Sequence, residues 1–308
     1  MHTVMRRTTP QRTRRRSGFT LIELVMVAVL AVLVLGGMMN VLVRQQRFYR
    51  GTADLLEARS QTRQAAGILP GELRSISPVG GDILAMSDSS LEFRATVGSS
   101  VLCAISGGEV VLPPTNPTRG NVATTWGAAP AAGDTVLIFN EGPTTSWTDD
   151  TWTPHEIASI TTVTGACPTS TGLTSDSDGS KTSLKYAVVG GLSATIKGGA
   201  PMRFVRRARY SLYAAPNGQW YLGYCSPTCG VSGPSPIAGP FVPHSDAAPG
   251  LSFTYLDEDG VVTATPAEVA QVSILVRAEA SKSVSLAGFA TRVARDSLRF
   301  TVGIRNRQ

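Results

Sequence analysis

The sequence predicts an α+β protein: a long N-terminal helix, its first half membrane-spanning, packed on a mainly antiparallel β-sheet domain with long loops. Three observations predict it. Phe19 to Val43 is an apolar run of 25 residues in which Glu23 is the only ionisable side chain. A stripe of small and apolar residues at helical spacing follows it, and beyond Asp82 short alternating runs are separated by Gly, Pro, Asn and Asp.

The apolar run comes first. As a helix rising about 1.5 Å per residue it exceeds the roughly 30 Å hydrocarbon thickness of a bilayer, so it can span. Residues 1 to 18 hold Arg6, Arg7, Arg12, Arg14, Arg15 and Arg16 and no acid. The positive-inside rule keeps that end cytoplasmic and sends everything after Val43 across the membrane. An ordinary secretory signal has a shorter core, small residues at its cleavage site and no internal carboxylate; this segment departs on each count. A twin-arginine signal, for which Arg14 to Arg16 would serve, needs a less apolar core than this one.

Charge removes the general case for a nucleic-acid partner of the main body, a local patch aside. The formal net charge of +6 is carried entirely by the first 18 residues: removing their six arginines from the 28 basic residues leaves 22, against 22 acidic. A general electrostatic argument for nucleic-acid binding therefore lapses beyond residue 18. Charged residues make up 16% of the chain and apolar ones 42%, a balance that suits an extracytoplasmic, strand- and loop-rich domain.

After Val43 the residues Phe48, Thr52, Leu55, Thr62, Ala66, Leu69 and Leu73 form one stripe, interrupted by Arg59, of an amphipathic helix over 44–78. Pro70 predicts a kink or break near Ala66, and Ser77-Pro78-Val79-Gly80-Gly81 ends the helix. The β-like runs that follow include SLEFRAT, DTVLIFN, EIASITTV, MRFVRRARYSLY, QWYLGY, LSFTYLD, VVTATP, VAQVSILVRAE and LRFTVGI. Pro216-Asn217-Gly218 and Asp257-Glu258-Asp259-Gly260 read as hairpin turns, because Asn-Gly and Asp-Gly tolerate positive φ. The stretches 113–154, 167–180 and 226–249 read as surface loops, where specificity would reside.

Four cysteines, Cys103, Cys167, Cys225 and Cys229, lie on the translocated side and permit three disulfide pairings. The favoured one joins Cys225 to Cys229, whose short loop Pro227 helps to turn, and Cys103 to Cys167. Zinc is a poorer reading, since a single CxxxC without a nearby His or a second close pair does not match zinc-site spacing.

One short motif is specific. Ser17-Gly18-Phe19-Thr20-Leu21-Ile22-Glu23-Leu24 resembles the processing site of type IV prepilins and type II secretion pseudopilins. The resemblance implies a basic leader, residues 1–18, removed by a prepilin peptidase between Gly18 and Phe19, and N-methylation of Phe19. It further implies an assembly helix at 19–43, an amphipathic periplasmic helix at 44–78 and a β-rich domain at 79–308 with a pilin-like fold. In that family the glutamate matching Glu23 neutralises the new amine of a neighbouring subunit, because a carboxylate at membrane depth is costly without a positive partner. The alternative for Glu23 is snorkelling to the headgroups. A weaker likeness joins Gly250 to Asp257 and Leu298 to Asn306 to PilW-like minor pilins and J-type pseudopilins.

Other chemistry finds little raw material. After the expected cleavage only His155 and His244 remain, both read in Pro-bearing loops, and no G-x-S-x-G, H-E-x-x-H or P-loop pattern occurs, so no catalytic role is expected. Arg203, Arg206, Arg207 and Arg209, interleaved with Phe204 and Tyr210, would contact phosphate in one reading and face solvent or pair with acids in the favoured one. Asp176-Ser177-Asp178-Gly179 opens like a calcium loop, but Ala187 stands where the bidentate Glu is needed, so both it and Asp257 to Asp259 read as turns; no cofactor is expected, calcium being the alternative that the resemblance to pseudopilins keeps open. The expected protein is a minor pilin at a priming or tip position, held in a bacterial inner membrane with its domain periplasmic, then built into a filament. Its partners would be the peptidase, other pilin or pseudopilin subunits, an inner-membrane assembly platform and membrane lipid. The alternatives are a type II secretion pseudopilin and a single-pass membrane-anchored binding protein.

Overall fold

The computed structural model describes residues 18–118, 123–144, 146–226, 233–245, 247–284 and 292–304. One helix, α1 (Leu21–Leu73), spans 53 residues. The chain divides into two compact units, Met1–Thr52 with Val284–Thr291 and Ala53–Ser283 with Arg292–Gln308.

In the first unit, the helix starts where Thr20 offers its side-chain oxygen to the amide of Glu23 at 3.3 Å and its carbonyl to Leu24 at 3.2 Å. The first bond satisfies a donor that a helix N-terminus leaves open, and the second is the first bond of the helix itself. From Leu21 to Val43 every side chain is exposed. This is a helix long and apolar enough to cross a membrane. Its many valines are no obstacle, since hydrocarbon forces backbone groups to bond within the segment.

In the second unit the buried helical seam is Ala58, Thr62, Ala65, Leu69 and Leu73. Thr62, Leu69 and Leu73 belong to the stripe read from the sequence; Phe48 and Thr52 are exposed and Ala66 is only half-buried. The seam shifts to include two buried alanines, Ala58 and Ala65, which a reading weighted toward large side chains passes over. The helix also runs through Pro70 and stops at Leu73. Pro70 lies in the last turn, so its missing donor removes one bond close to an end that is already tightening, where Ser75 N donates to Glu72 O.

The sheet holds fourteen strands among the described residues. In chain order they are β1 (Ile83–Met86), β2 (Ser90–Val101), β3 (Ala104–Ser106), β4 (Glu109–Val111), β5 (Thr125–Trp126), β6 (Thr135–Asn140) and β7 (Thr151–Thr164). There follow β8 (Thr182–Val188), β9 (Pro201–Ala214), β10 (Trp220–Cys225), β11 (Ser235–Phe241), β12 (Leu251–Leu256), β13 (Gln271–Val284) and β14 (Arg292–Gly303). Strand β9 is the branch point. Along one edge it pairs antiparallel with β2, from Ser90 opposite Ser211 to Val101 opposite Pro201. Its other edge is divided between β6, against Met202 to Val205, and β10, against Arg209 to Ala214.

Two arms grow from that division. From β10 the order continues β11, β13, β12, with β14 also on β13; from β6 it continues β7, β8, β4, β3. Each arm has its own core. The first joins the helical seam to Phe93, Tyr210, Phe253, Ile274 and Val302, and the second gathers Leu102, Val136, Ile138, Ile157, Tyr186 and Phe204.

Both expected hairpin turns form, with Gly218 at φ 79° between β9 and β10 and Gly260 at φ 78° after β12, conformations that a side chain would strain. The segment VVTATP differs: it makes one isolated bridge, Leu256 to Val262, and not a strand. Conversely β11 lies within the stretch read as irregular. Pro236 and Pro240 deprive it of donors, and its pairing with β10 shifts register twice, so no clean alternation marks it. His155, read in a loop, sits in β7. Pro154 beside it is tolerated because Ile157 exchanges both backbone bonds with residues 133 and 134 on the β6 side. Alternation then turns the nitrogen of Pro154 to the opposite edge, which β8 covers only from Glu156 onward.

Candidate functional site

Gly18, Phe19 and Thr20 lie in exposed, non-helical backbone directly before α1, and the Phe19 ring is 78% exposed. A Cβ added at Gly18 would meet no atom within 4 Å, so packing among the described residues does not demand glycine there. Thr20 is the cap, Leu21 the first helical residue and Glu23 the third, which sets Glu23 in the first turn with its carboxylate favoured by the helix dipole. The Thr-x-x-Glu spacing is half of a capping box and could have been read from the sequence. The arrangement offers a solvent-open peptide bond and, one helical turn further on, a carboxylate inside an apolar run.

Cys103 and Cys167 form a disulfide with Cα atoms 5.4 Å apart, closing a loop of sequence separation 64. Cys225 is also disulfide-bonded. Cys229, read as its partner, lies outside the described residues.

The arginines of β9 are engaged within the sheet unit. Arg203 donates to Asp82 Oδ2 at 2.7 Å, to Thr96 Oγ1 and to the carbonyl of Ser75. Arg206 grips both oxygens of Asp134 at 2.7 Å and also the carbonyl of Ala129. The Asp134 hydrogen bond pushes the Arg206 pKa further up. Arg207 pairs with Glu92. Asp82 is fully buried and also accepts from Ser77 N at 2.6 Å, which ties the turn after α1 to β9. Sequence reasoning named these arginines but not their acids, which lie 121, 72 and 115 residues away.

Asp178, read as part of a calcium-like turn, is spent internally. One oxygen accepts from Thr118 N at 2.6 Å and the other from Ser175 N and its hydroxyl at 2.8 Å. The Thr118 bonds, and after them those from Ser175, hold its carboxyl well below the usual range. Asp257 likewise accepts from Val261 N at 2.8 Å within its own turn. Among the described residues no group of three or more His, Cys, Asp or Glu side chains could hold a metal ion.

The loop between β6 and β7 presents Trp147, 81% exposed, and is organised by Asp149, which accepts from Thr144 N and Thr144 Oγ1 at 2.9 and 2.8 Å. His155 contacts Thr153 Oγ1 at 3.3 Å, and burial lowers its pKa.

Comparison with models of protein families, with curated proteins and with solved structures finds no match to this chain.

Proposed function

We propose that the chain is a prepilin-type subunit, a minor pilin of a type IV pilus-like filament that acts by assembly at a priming or tip position. One observation carries the reading: the motif from Ser17 to Leu24 coincides with the start of a membrane-capable helix, so that the Gly18–Phe19 bond is exposed and non-helical while Glu23 occupies the first turn. A peptidase needs an extended, reachable bond, and this one ends immediately before the cap. No described neighbour requires glycine at position 18, which is consistent with a glycine kept for recognition by the peptidase.

Hydrolysis between Gly18 and Phe19 releases the basic leader and leaves a positive amine on Phe19 beside the positive end of the helix dipole. That amine is poorly placed alone. A carboxylate in the first turn of an adjacent subunit, Glu23, neutralises it, and the pairing fixes the axial register between helices in a low-dielectric surround. The pilin-like fold, the periplasmic placement of the sheet unit and its incorporation in a filament are parts of this same proposal.

The test is to express the full chain with a prepilin peptidase and determine the mature N-terminus by mass spectrometry. The proposal expects Phe19 at the terminus, one methyl group heavier than the bare residue, and no processing in Gly18→Val. An uncleaved chain, or cleavage elsewhere, would return the chain to a plain membrane-anchored binding protein. Copurification of the mature chain with a secretion platform instead of a pilus platform would assign it to type II secretion.

A further inference from the structure

Immediately after the apolar run, α1 carries Arg44, Arg47 and Arg50 together with Phe48 and Tyr49, all of them exposed, the two rings at 65% and 71%. No acidic residue occurs between Glu23 and Asp54, and none of the three guanidinium groups has an ion pair among the described residues. At about 100° per residue the three arginines fall within an arc of about 120°, and the rings fill the adjoining arc. The result is a cationic and aromatic collar around one level of the helix. Arginine at this level opposes the orientation signal set by the leader, because the positive-inside rule disfavours cations on the translocated side. A collar that works against insertion calls for a compensating interaction.

We infer that Arg44, Arg47 and Arg50 form a binding site for the phosphates of anionic lipid headgroups in the outer leaflet of the membrane that α1 crosses, with Phe48 and Tyr49 seated at the interface beside them. Depth supports the assignment. Counted from Leu21 along α1, the three arginines stand about 35, 39 and 44 Å away, or about 32, 37 and 41 Å for a helix tilted by roughly 20°. The hydrocarbon ends at about 30 Å and the headgroups extend some 5 to 7 Å further on each side. On the tilted helix Arg44 therefore lies among the headgroups, Arg47 at their outer margin and Arg50 about 4 Å beyond it, the last two reaching back along flexible stems. Planar guanidinium groups suit bidentate contact with phosphate, and aromatic rings favour this layer. The inference needs only that α1 spans a membrane with its leader end on the cytoplasmic side; it stands apart from leader cleavage and from filament assembly.

The experiment uses the full chain in phosphatidylcholine vesicles carrying a trace of spin-labelled phosphatidylglycerol or spin-labelled phosphatidylcholine. The six leader arginines are replaced by Gln throughout, so that only the collar is read. The fraction of motionally restricted label reports which lipid the helix holds. Phosphatidylglycerol is expected to be preferred about fivefold or more at low salt. The preference should fall close to one in R44Q/R47Q/R50Q and persist in R44K/R47K/R50K. Should the glutamine variant fail to insert, about 1 M salt, where screening acts within about 3 Å, must abolish the preference of the unsubstituted collar. A preference that survives both the glutamine substitutions and salt overturns the inference. So does the absence of any preference with the arginines in place, which would assign the collar to an acidic protein surface instead.

Discussion

The hydroxyl oxygen of Thr20 accepts the backbone amide proton of Glu23 at 3.3 Å, so the residue that begins the helix also fixes where the only carboxylate of the apolar run stands. Glu23 consequently has two separable roles. It favours its own helix terminus through the dipole, worth about 0.3 to 1 kcal/mol, and in the proposed filament it meets a neighbour's amine.

Replacing Thr20 with Ala removes the cap that accepts the Glu23 amide and leaves both roles of the carboxylate in place. The expected loss is about 1 kcal/mol of local helix stability. Amide exchange of the mature chain in detergent should accelerate about fivefold at Glu23 and Leu24, with little change beyond the second turn. Cleavage after Gly18 should persist, since the scissile bond is already outside the helix.

The turn after α1 is held to the sheet by Asp82, whose side chain is 0% exposed against 20% for Arg203. Asp82→Ala leaves Arg203 and the Ser77 amide without their acceptor and is expected to cost about 3 to 5 kcal/mol in urea unfolding followed by tryptophan fluorescence. Arg203→Lys keeps the charge but cannot reach Asp82, Thr96 and Ser75 together, so it should lose less.

The Cys103 to Cys167 bridge closes a sequence separation of 64 in the arm built on β6. Replacing both cysteines with Ser should lower unfolding free energy by about 2 to 4 kcal/mol through the entropy of the unfolded chain. A drop seen equally in the Cys225→Ser chain would mean that the bridge at Cys225 carries the effect.

Acid acts on the sheet unit through two groups of the same sign. Burial lowers the pKa of His155, so the unfolded state takes up its proton first, and stability falls as pH drops below about 6.5 toward the folded value. Asp178 is depressed by its Thr118 and Ser175 bonds; its contribution is present above about pH 4 and is lost as pH falls through its folded value. Glu72 is opposite: burial raises its pKa, so stability falls as pH rises through the range between its unfolded and folded values. Its place in the last turn of α1 also sets a carboxylate against the negative end of the dipole. Glu72→Gln should therefore stabilise at pH 7 by about 0.5 kcal/mol, and His155→Gln should flatten the stability profile below about pH 6.5.

Much of this architecture can be read directly. The apolar run, the fall of alternating strands after Asp82, and the turns at Gly218 and Gly260 follow from period and turn chemistry, which are local. What escaped was set by partners distant in sequence. The seam of Ala58 and Ala65 is defined by the core it joins, β11 by the strand beside it, and the acids opposite Arg203 and Arg206 by the branch at β9. The cap at Thr20 is the exception: Thr-x-x-Glu was legible there, but the same letters also belonged to the cleavage motif, and the longer motif drew the reading. Gly18 and Phe19 are proposed as a cleavage site by resemblance alone, since no local period marks a peptide bond for cleavage.

The pairing of Glu23 with a neighbour's amine is the centre of the account, and the most direct measurement is incorporation of Glu23→Gln into sheared filaments, with N-terminal processing followed in the same cells. The account predicts a chain that is still cut after Gly18 and still inserted, yet lost from filaments by at least tenfold, a deficit too large for the helix-dipole contribution alone. Normal cleavage accompanied by undiminished incorporation of Glu23→Gln would contradict it.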